Sequence, residues 1–266
     1  MYSIKVQCPA KINLSLKVTG KRPDGFHDIE SIMQTISLYD YLTVNITPDE
    51  GLNIHLDGNC NDIPYDSSNL VYKATKLFFS HIDISDEYKV NINIEKNIPV
   101  AAGLAGGSTD AAGTLYGLNK LFNEPLSKTY LHSLCAKLGS DLNFCLEGGT
   151  CMTRGRGEIL EPMPFKKEMI SLIKPVSLGI SAKEAYTKFS AKLAAASSDR
   201  DKYVNDLEWA VIDDYKELQY IKRDYTNSVM SGSGSTFYII NDEFKQSDGY
   251  WIKNNLVTVP YGVKEA

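Results

Sequence analysis

At 266 residues, with 43% hydrophobic and 23% charged side chains, the chain has ordinary globular composition and room for two domains around adjoining cores, but not three. Its 28 Lys and Arg against 33 Asp and Glu leave a net charge of -5, and no basic run is long enough to track a phosphate backbone, which argues against a nucleic-acid partner. Five cysteines, Cys8, Cys60, Cys135, Cys145 and Cys151, form no CxxC pair and fit a reducing cytoplasm; no apolar leader and no run of about 18 apolar residues points to a membrane.

Period-two alternation fills the first hundred residues: Ile12, Leu14, Leu16 and Val18, then Leu42, Val44 and Ile46, then Leu52, Ile54 and Leu56, then Val90, Ile92 and Ile94. Each run predicts a half-buried antiparallel strand. Between the last two, Asp66 to Phe79 has a serine-rich start and the apolar spacing of a helix. From Ser108 the period is helical again, with Ala111, Ala112, Leu115, Leu118, Leu121 and Phe122 on one face and Pro125 closing the end. A further helix follows, capped by Ser127, with Leu131, Leu134, Cys135 and Leu138 inward and Gly139 suited to a left-handed residue past its end. Asp141 then stands just beyond a helix, where a fixed backbone can aim its carboxylate.

After the Gly-rich stretch Gly148 to Glu158 the pattern predicts a strand around Met169 to Ile173, helical segments, and two strands flanking Ser231 to Ser235. A domain boundary near residue 152 gives domains 1–152 and 153–266. Ala191 to Lys202 is small and polar enough to be mobile.

Three segments carry chemistry. Ile98 to Ala112, IPVAAGLAGGSTDAA, runs from a strand through Gly103, Gly106 and Gly107 into a helix. Glycines let backbone N–H groups crowd an anion and the helix start adds partial positive charge, so the segment is built as a phosphate cradle. It is neither a dinucleotide fingerprint nor a Walker loop, and the alternative is a Gly-rich connection with Ser108 as an ordinary helix cap. In PAKINLSL, Pro9 to Leu16, Lys11 and Asn13 share one strand face, where they can meet a phosphoryl group and a hydroxyl or simply face solvent. SGSGS, Ser231 to Ser235, permits close approach of backbone to ligand, or is a plain hairpin loop.

Together and in this order, the three segments resemble the motifs of the GHMP kinases. AKINLSLKVTGKRPDGFHDIES (Ala10 to Ser31), GSDLNFCLEGG (Gly139 to Gly149), RGRGE (Arg154 to Glu158) and NDLE (Asn205 to Glu208) are similar to the cytidine-diphosphate methylerythritol kinases within that superfamily. Phe26 stands where those kinases usually have tyrosine, and Asn143 where they usually have proline.

The resemblance implies an α+β fold with a ribosomal protein S5 domain 2-like N-terminal domain and a ferredoxin-like C-terminal domain. It implies ATP and Mg2+ as cofactors and cytidine-diphosphate methylerythritol as the small-molecule acceptor, phosphorylated on its 2-hydroxyl, in a cytoplasmic monomer or weak homodimer. Asp141 is then the general base and Lys11 its catalytic partner. ATP would bind Pro99 and the backbone of Gly103, Leu104, Ala105, Gly106, Gly107, Ser108 and Thr109, with Ser108 near the metal and Asn69 and Lys96 near the nucleoside. Asn13, Phe26, His27, Tyr186 and Gly232 would meet the acceptor. The rival readings are a homoserine or mevalonate type of kinase, and a catalytically silent nucleotide sensor on the same fold.

Overall fold

The computed structural model describes residues 2–83, 87–195 and 199–266. Its largest element is a long hairpin, β1 (Tyr2–Lys21) against β2 (His27–Pro48), antiparallel along its whole length. Strands β3 (Asn53–Gly58) and β4 (Tyr88–Glu95) extend it on one side, and β5 (Thr150–Arg154) and β6 (Ile159–Pro162) join through β2. A short final strand, Lys264–Glu265, pairs with β1 and completes a seven-stranded sheet. Strand β3 pairs with β4 in parallel, not antiparallel as its alternation suggested, because helix α1 (Leu70–Phe79) carries the chain back between them.

The side-chain period of β1 is broken once where it matters. Asn13 and Ser15 face consecutive partners Met33 and Ile32, so Leu14 is an extra residue that reverses which face the following side chains take. Ile12 and Leu14 therefore pack into one core and Leu16 and Val18 into another, instead of sharing a face.

Helices α2 (Gly106–Leu121), α3 (Lys128–Leu138) and α4 (Leu142–Glu147) cover the first sheet beside α1. Helix α2 lies close on β1: a Cβ at Gly113 would sit 2.4 Å from Cys8 Sγ, and one at Gly117 2.9 Å from Val6. Ser127 caps α3 as expected, accepting from the Tyr130 N–H. Gly139 is extended, with φ 173°, rather than left-handed, so the chain runs straight on to Ser140 and Asp141.

The second sheet is four-stranded and antiparallel, formed by β7 (Met169–Pro175), β8 (Val229–Met230), β9 (Phe237–Ile240) and β10 (Tyr250–Val257) in the order β10-β7-β9-β8. That is the strand order of a ferredoxin-like layer, with a loop in place of a helix before its last strand. Helices α5 (Ala182–Ala194), α6 (Asp206–Val211) and α7 (Lys216–Asp224) pack on it around the fully buried Trp209. The expected boundary at residue 152 falls inside β5, which is hydrogen-bonded to β2; the chain changes sheets between Pro162 and Met169. Of the segment expected to be mobile, Ala191 to Ala194 continue α5, Arg200–Lys202 form a 3-10 turn, and 196–198 lie outside the described residues.

Candidate active site

Lys11 and Asn13 do share a face of β1, but that face is buried: the two residues are 4% and 1% exposed. A buried ammonium needs partners. Lys11 Nζ donates to Asn13 Oδ1 at 2.6 Å and lies 3.5 Å from the Asp141 carboxylate. Asn13 in turn donates to Ser31 Oγ at 2.8 Å, which fixes the amide's orientation.

The backbone of Lys11 also carries the Gly-rich loop, its N–H donating to the Leu104 carbonyl at 3.1 Å. Ala102 and Leu104 anchor that loop in the core shared by both sheets, while Gly103 between them is pressed onto the Ser231–Ser235 turn. At Gly103 φ is +74°, and a Cβ would fall 2.0 Å from the Ser231 carbonyl oxygen, so glycine is required twice over. Ser231 Oγ bonds the Gly103 carbonyl at 2.9 Å from the other side.

Helix α2 begins with no side-chain cap. The residue before it, Ala105, is left-handed (φ 59°, ψ 28°), and Ser108 is the third residue of the helix, not its cap. The first N–H groups of a helix have no partner within it. Here those of Gly106, Gly107 and Ser108 head the cavity with the positive end of a four-turn helix behind them, a fitting seat for phosphate oxygens.

Asp141 is the residue before α4, yet makes no capping bond with its side chain. The carboxylate is turned instead toward Lys11 and is 28% exposed. Asn143, two residues on, donates to the Glu158 carbonyl at 3.0 Å and ties α4 to the RGRGE segment. That segment delivers Arg156, whose guanidinium sits 5.0 Å over the half-exposed Phe26 ring. His27 stacks on Tyr186 at 5.0 Å and 14°, and bonds Ser190 Oγ at 3.1 Å. Burial, with help from Lys21, holds the His27 imidazole below its usual pKa of 6.5.

A single cavity of 1110 Å³ is lined by every site residue expected from the sequence except Thr109. Thr109 is fully buried and its N–H is already given to the Ala105 carbonyl, because its place one turn into α2 points it at the core. Asn69 lines the cavity while serving as the cap of α1: its Oδ1 accepts from the Val71 N–H and its Nδ2 donates to the Pro64 carbonyl. The serines before it do not cap; Ser68 bonds to Asp66.

Lys96 is held below the Gly-rich loop between two buried carboxylates, Asp40 and Asp110, at 2.8 Å from the latter. Burial alone would depress its pKa, but the two carboxylates outweigh that and hold it above the ordinary lysine value. Asp110 is pushed upward by burial against the pull of Lys96. Sequence reasoning missed Asp40, Asp110 and Arg156; Arg156 lay within RGRGE and Asp110 within the Gly-rich segment, but nothing local pointed to Asp40, and the two carboxylates meet Lys96 across separations of 56 and 14 residues.

Residues 69–149 match the model of the GHMP kinases N terminal domain, which spans α1, the Gly-rich loop and Asp141. A 4-diphosphocytidyl-2-C-methyl-D-erythritol kinase of Lachnoclostridium phytofermentans is 39% identical over 269 residues, 93% of this chain and 91% of that protein. The chain belongs to the 4-diphosphocytidyl-2-C-methyl-D-erythritol kinase family. A crystal structure of 4-(cytidine 5'-diphospho)-2C-methyl-D-erythritol kinase superposes with TM-score 0.71 at 26% identity, over 96% of this chain and all of that one. Homoserine kinase from Cytophaga hutchinsonii superposes at 0.68 but with 16% identity, over 100% and 98% of the two chains, and so shares the fold alone. The matched region holds Asp141 and the open N-terminus of α2, which line one cavity with Lys11.

Proposed function

We propose that the protein transfers the γ-phosphoryl group of ATP to the 2-hydroxyl of 4-diphosphocytidyl-2-C-methyl-D-erythritol in the cytoplasm. The observation that carries this is the Lys11–Asp141 pair beneath the uncapped start of α2. Phosphoryl transfer asks mainly for in-line positioning and neutralised charge. Asp141 accepts the proton of the acceptor hydroxyl, and Lys11, fixed by Asn13, stabilises charge on the moving group. The N–H groups from Gly103 to Ser108 take the phosphates.

Among the described residues no group of three or more His, Cys, Asp or Glu side chains is placed to hold a metal ion. The uncapped α2 start with Ser108 in its first turn suits Mg2+ carried on ATP oxygens and waters, the ion supplying charge neutralisation. Asn69 and Lys96 line the nucleoside side of the loop. Lys96 acts there mainly by supporting the loop, since both its carboxylate partners are protein groups. Phe26, His27 and Tyr186 offer aromatic faces to the cytidine, with Asn13 and Gly232 at the polar middle of the acceptor.

An ATP-consumption assay with 4-diphosphocytidyl-2-C-methyl-D-erythritol, mevalonate and homoserine side by side tests the proposal. Turnover with the first alone is expected. Turnover only with another acceptor, or ATP binding with no turnover at all, would replace this reading with one of its rivals.

A further inference from the structure

The NDLE segment, Asn205 to Glu208, places none of its polar side chains along the cavity. All three are nevertheless buried, two of them carboxylates, and burial at that cost requires specific partners. Asp206 accepts from the Val18 N–H at 2.7 Å and pairs with Lys17 at 3.2 Å and with Arg200, fixing the far half of β1. Glu208 accepts from the Met230 N–H at 2.9 Å. Asn205 donates both amide hydrogens, to the carbonyls of Met230 at 2.7 Å and Gly232 at 2.8 Å. Its oxygen meanwhile accepts from the Leu207 N–H at 2.9 Å and caps α6.

Gly232 is where the turn meets the reacting groups. A Cβ placed there would lie 3.1 Å from Lys11 Nζ, 3.3 Å from Asn13 Oδ1 and 3.0 Å from the Gly103 carbonyl oxygen. Any rise or tilt of the turn is therefore felt by the lysine and the phosphate loop together. We propose that Asn205 is a positioning residue for phosphoryl transfer: its two donated bonds set the height of the Ser231–Ser235 turn, and through it the place of the Lys11 ammonium beside Asp141. A cap for α6 needs only the oxygen of this amide; the two N–H groups serve the turn. The inference rests on the roles given to Lys11 and Asp141 under the proposed function.

Asn205→Asp separates the two duties, since aspartate caps a helix as well as asparagine does but sets lone pairs against both carbonyls when ionised. Asn205→Ser is the companion variant, too short to span to the turn. Asp206→Asn is the control, loosening β1 without touching the turn. For folded Asn205 variants the expectation is a fall in kcat of about 30-fold or more. The KM values for ATP and acceptor should rise by less than kcat falls, and the Asp variant should grow slower as pH rises through ionisation of the new carboxyl. The ε-carbon NMR signal of Lys11 should shift in both variants and stay in place in Asp206→Asn, a readout that needs no turnover. If Asn205→Asp does not fold, Asn205→Ser carries the kcat and Lys11-signal readings. An unmoved Lys11 signal overturns the inference. So does a kcat loss that merely follows the loss of Tm and is matched by Asp206→Asn. Failure of the parent to phosphorylate the acceptor would sink the proposed function, while the Lys11 signal would still decide the role of Asn205.

Discussion

Replacing Asp141 by asparagine removes a proton acceptor and keeps the shape around it. The carboxylate makes no capping bond to α4, so no cap is lost. What is lost in stability is the attraction to Lys11 at 3.5 Å. Two unit charges at that distance attract by about 5 kcal/mol at an effective dielectric of about 20. With the Asp141 side chain 28% exposed, and with Asn13 still bonded to the ammonium, water screens most of this and the net cost should be about 1–2 kcal/mol. For a chain of this length that lowers Tm by about 2–4 °C per kcal/mol. General-base catalysis contributes about 10² to 10⁴-fold, equal to about 3–5 kcal/mol of barrier. The kinetic effect exceeds the structural one, so Asp141→Asn should be folded, liganded and slow. Rapid-quench single-turnover transfer at saturating ATP and acceptor, beside calorimetric binding of the acceptor, measures both halves. A single-turnover rate within a few-fold of the parent, with chemistry limiting, would show that Asp141 positions the acceptor without taking its proton.

Gly103→Ala meets the Ser231 carbonyl at 2.0 Å with a left-handed backbone, so strain and overpacking of about 2–5 kcal/mol should lower Tm by at least about 5 °C and weaken ATP binding. A parental Tm would mean the loop is not held against the turn. Tyr186→Ala removes a stacking face and the support of His27, and should raise the acceptor KM about tenfold while moving that for ATP by less than about twofold. Equal effects on both substrates would place the ring elsewhere in the reaction. Because the folded His27 pKa lies below the unfolded value, the unfolded chain gains a proton first as pH falls through 6.5, and stability drops until the folded pKa is passed. His27→Gln should flatten the Tm profile as pH falls below about 6.5; an unchanged slope would assign it to other groups.

The helices and the three chemical segments were legible because each rests on local spacing: the apolar face of α2, the Ser127 cap and the glycines of the loop are all set within a few residues. The solvated alternative for Lys11 and Asn13 could not be dismissed from PAKINLSL, since the groups that meet that face, Ser31, Asp141 and the turn at Gly232, are all distant in the chain. Strand direction was not legible at β3, where alternation reads the same in either sense. Nor was the extra residue at Leu14, which splits one apolar run between two cores. Lys96 is placed near the nucleoside by the resemblance alone, and its pairing with Asp40 and Asp110, 56 and 14 residues away, is not legible from local spacing. Thr109 sits beside Ser108 in the chain, but the rotation of one helical step takes it from cavity to core.

The strand β1 passes through two cores in turn, and the far one, around Trp209, is closed by Leu16 and Val18 from β1 and Ile29 from β2. A fragment ending after β6 would leave those three side chains uncovered, and a fragment beginning at β7 would lack part of its own interior. The two layers are thus unequal to the task of folding apart, and thermal or denaturant melting of the whole chain should pass through one concerted step rather than two. Domain swapping with a homologue, attempted at the change of sheets alone, would have to bring the distal half of the β1–β2 hairpin along with the second layer.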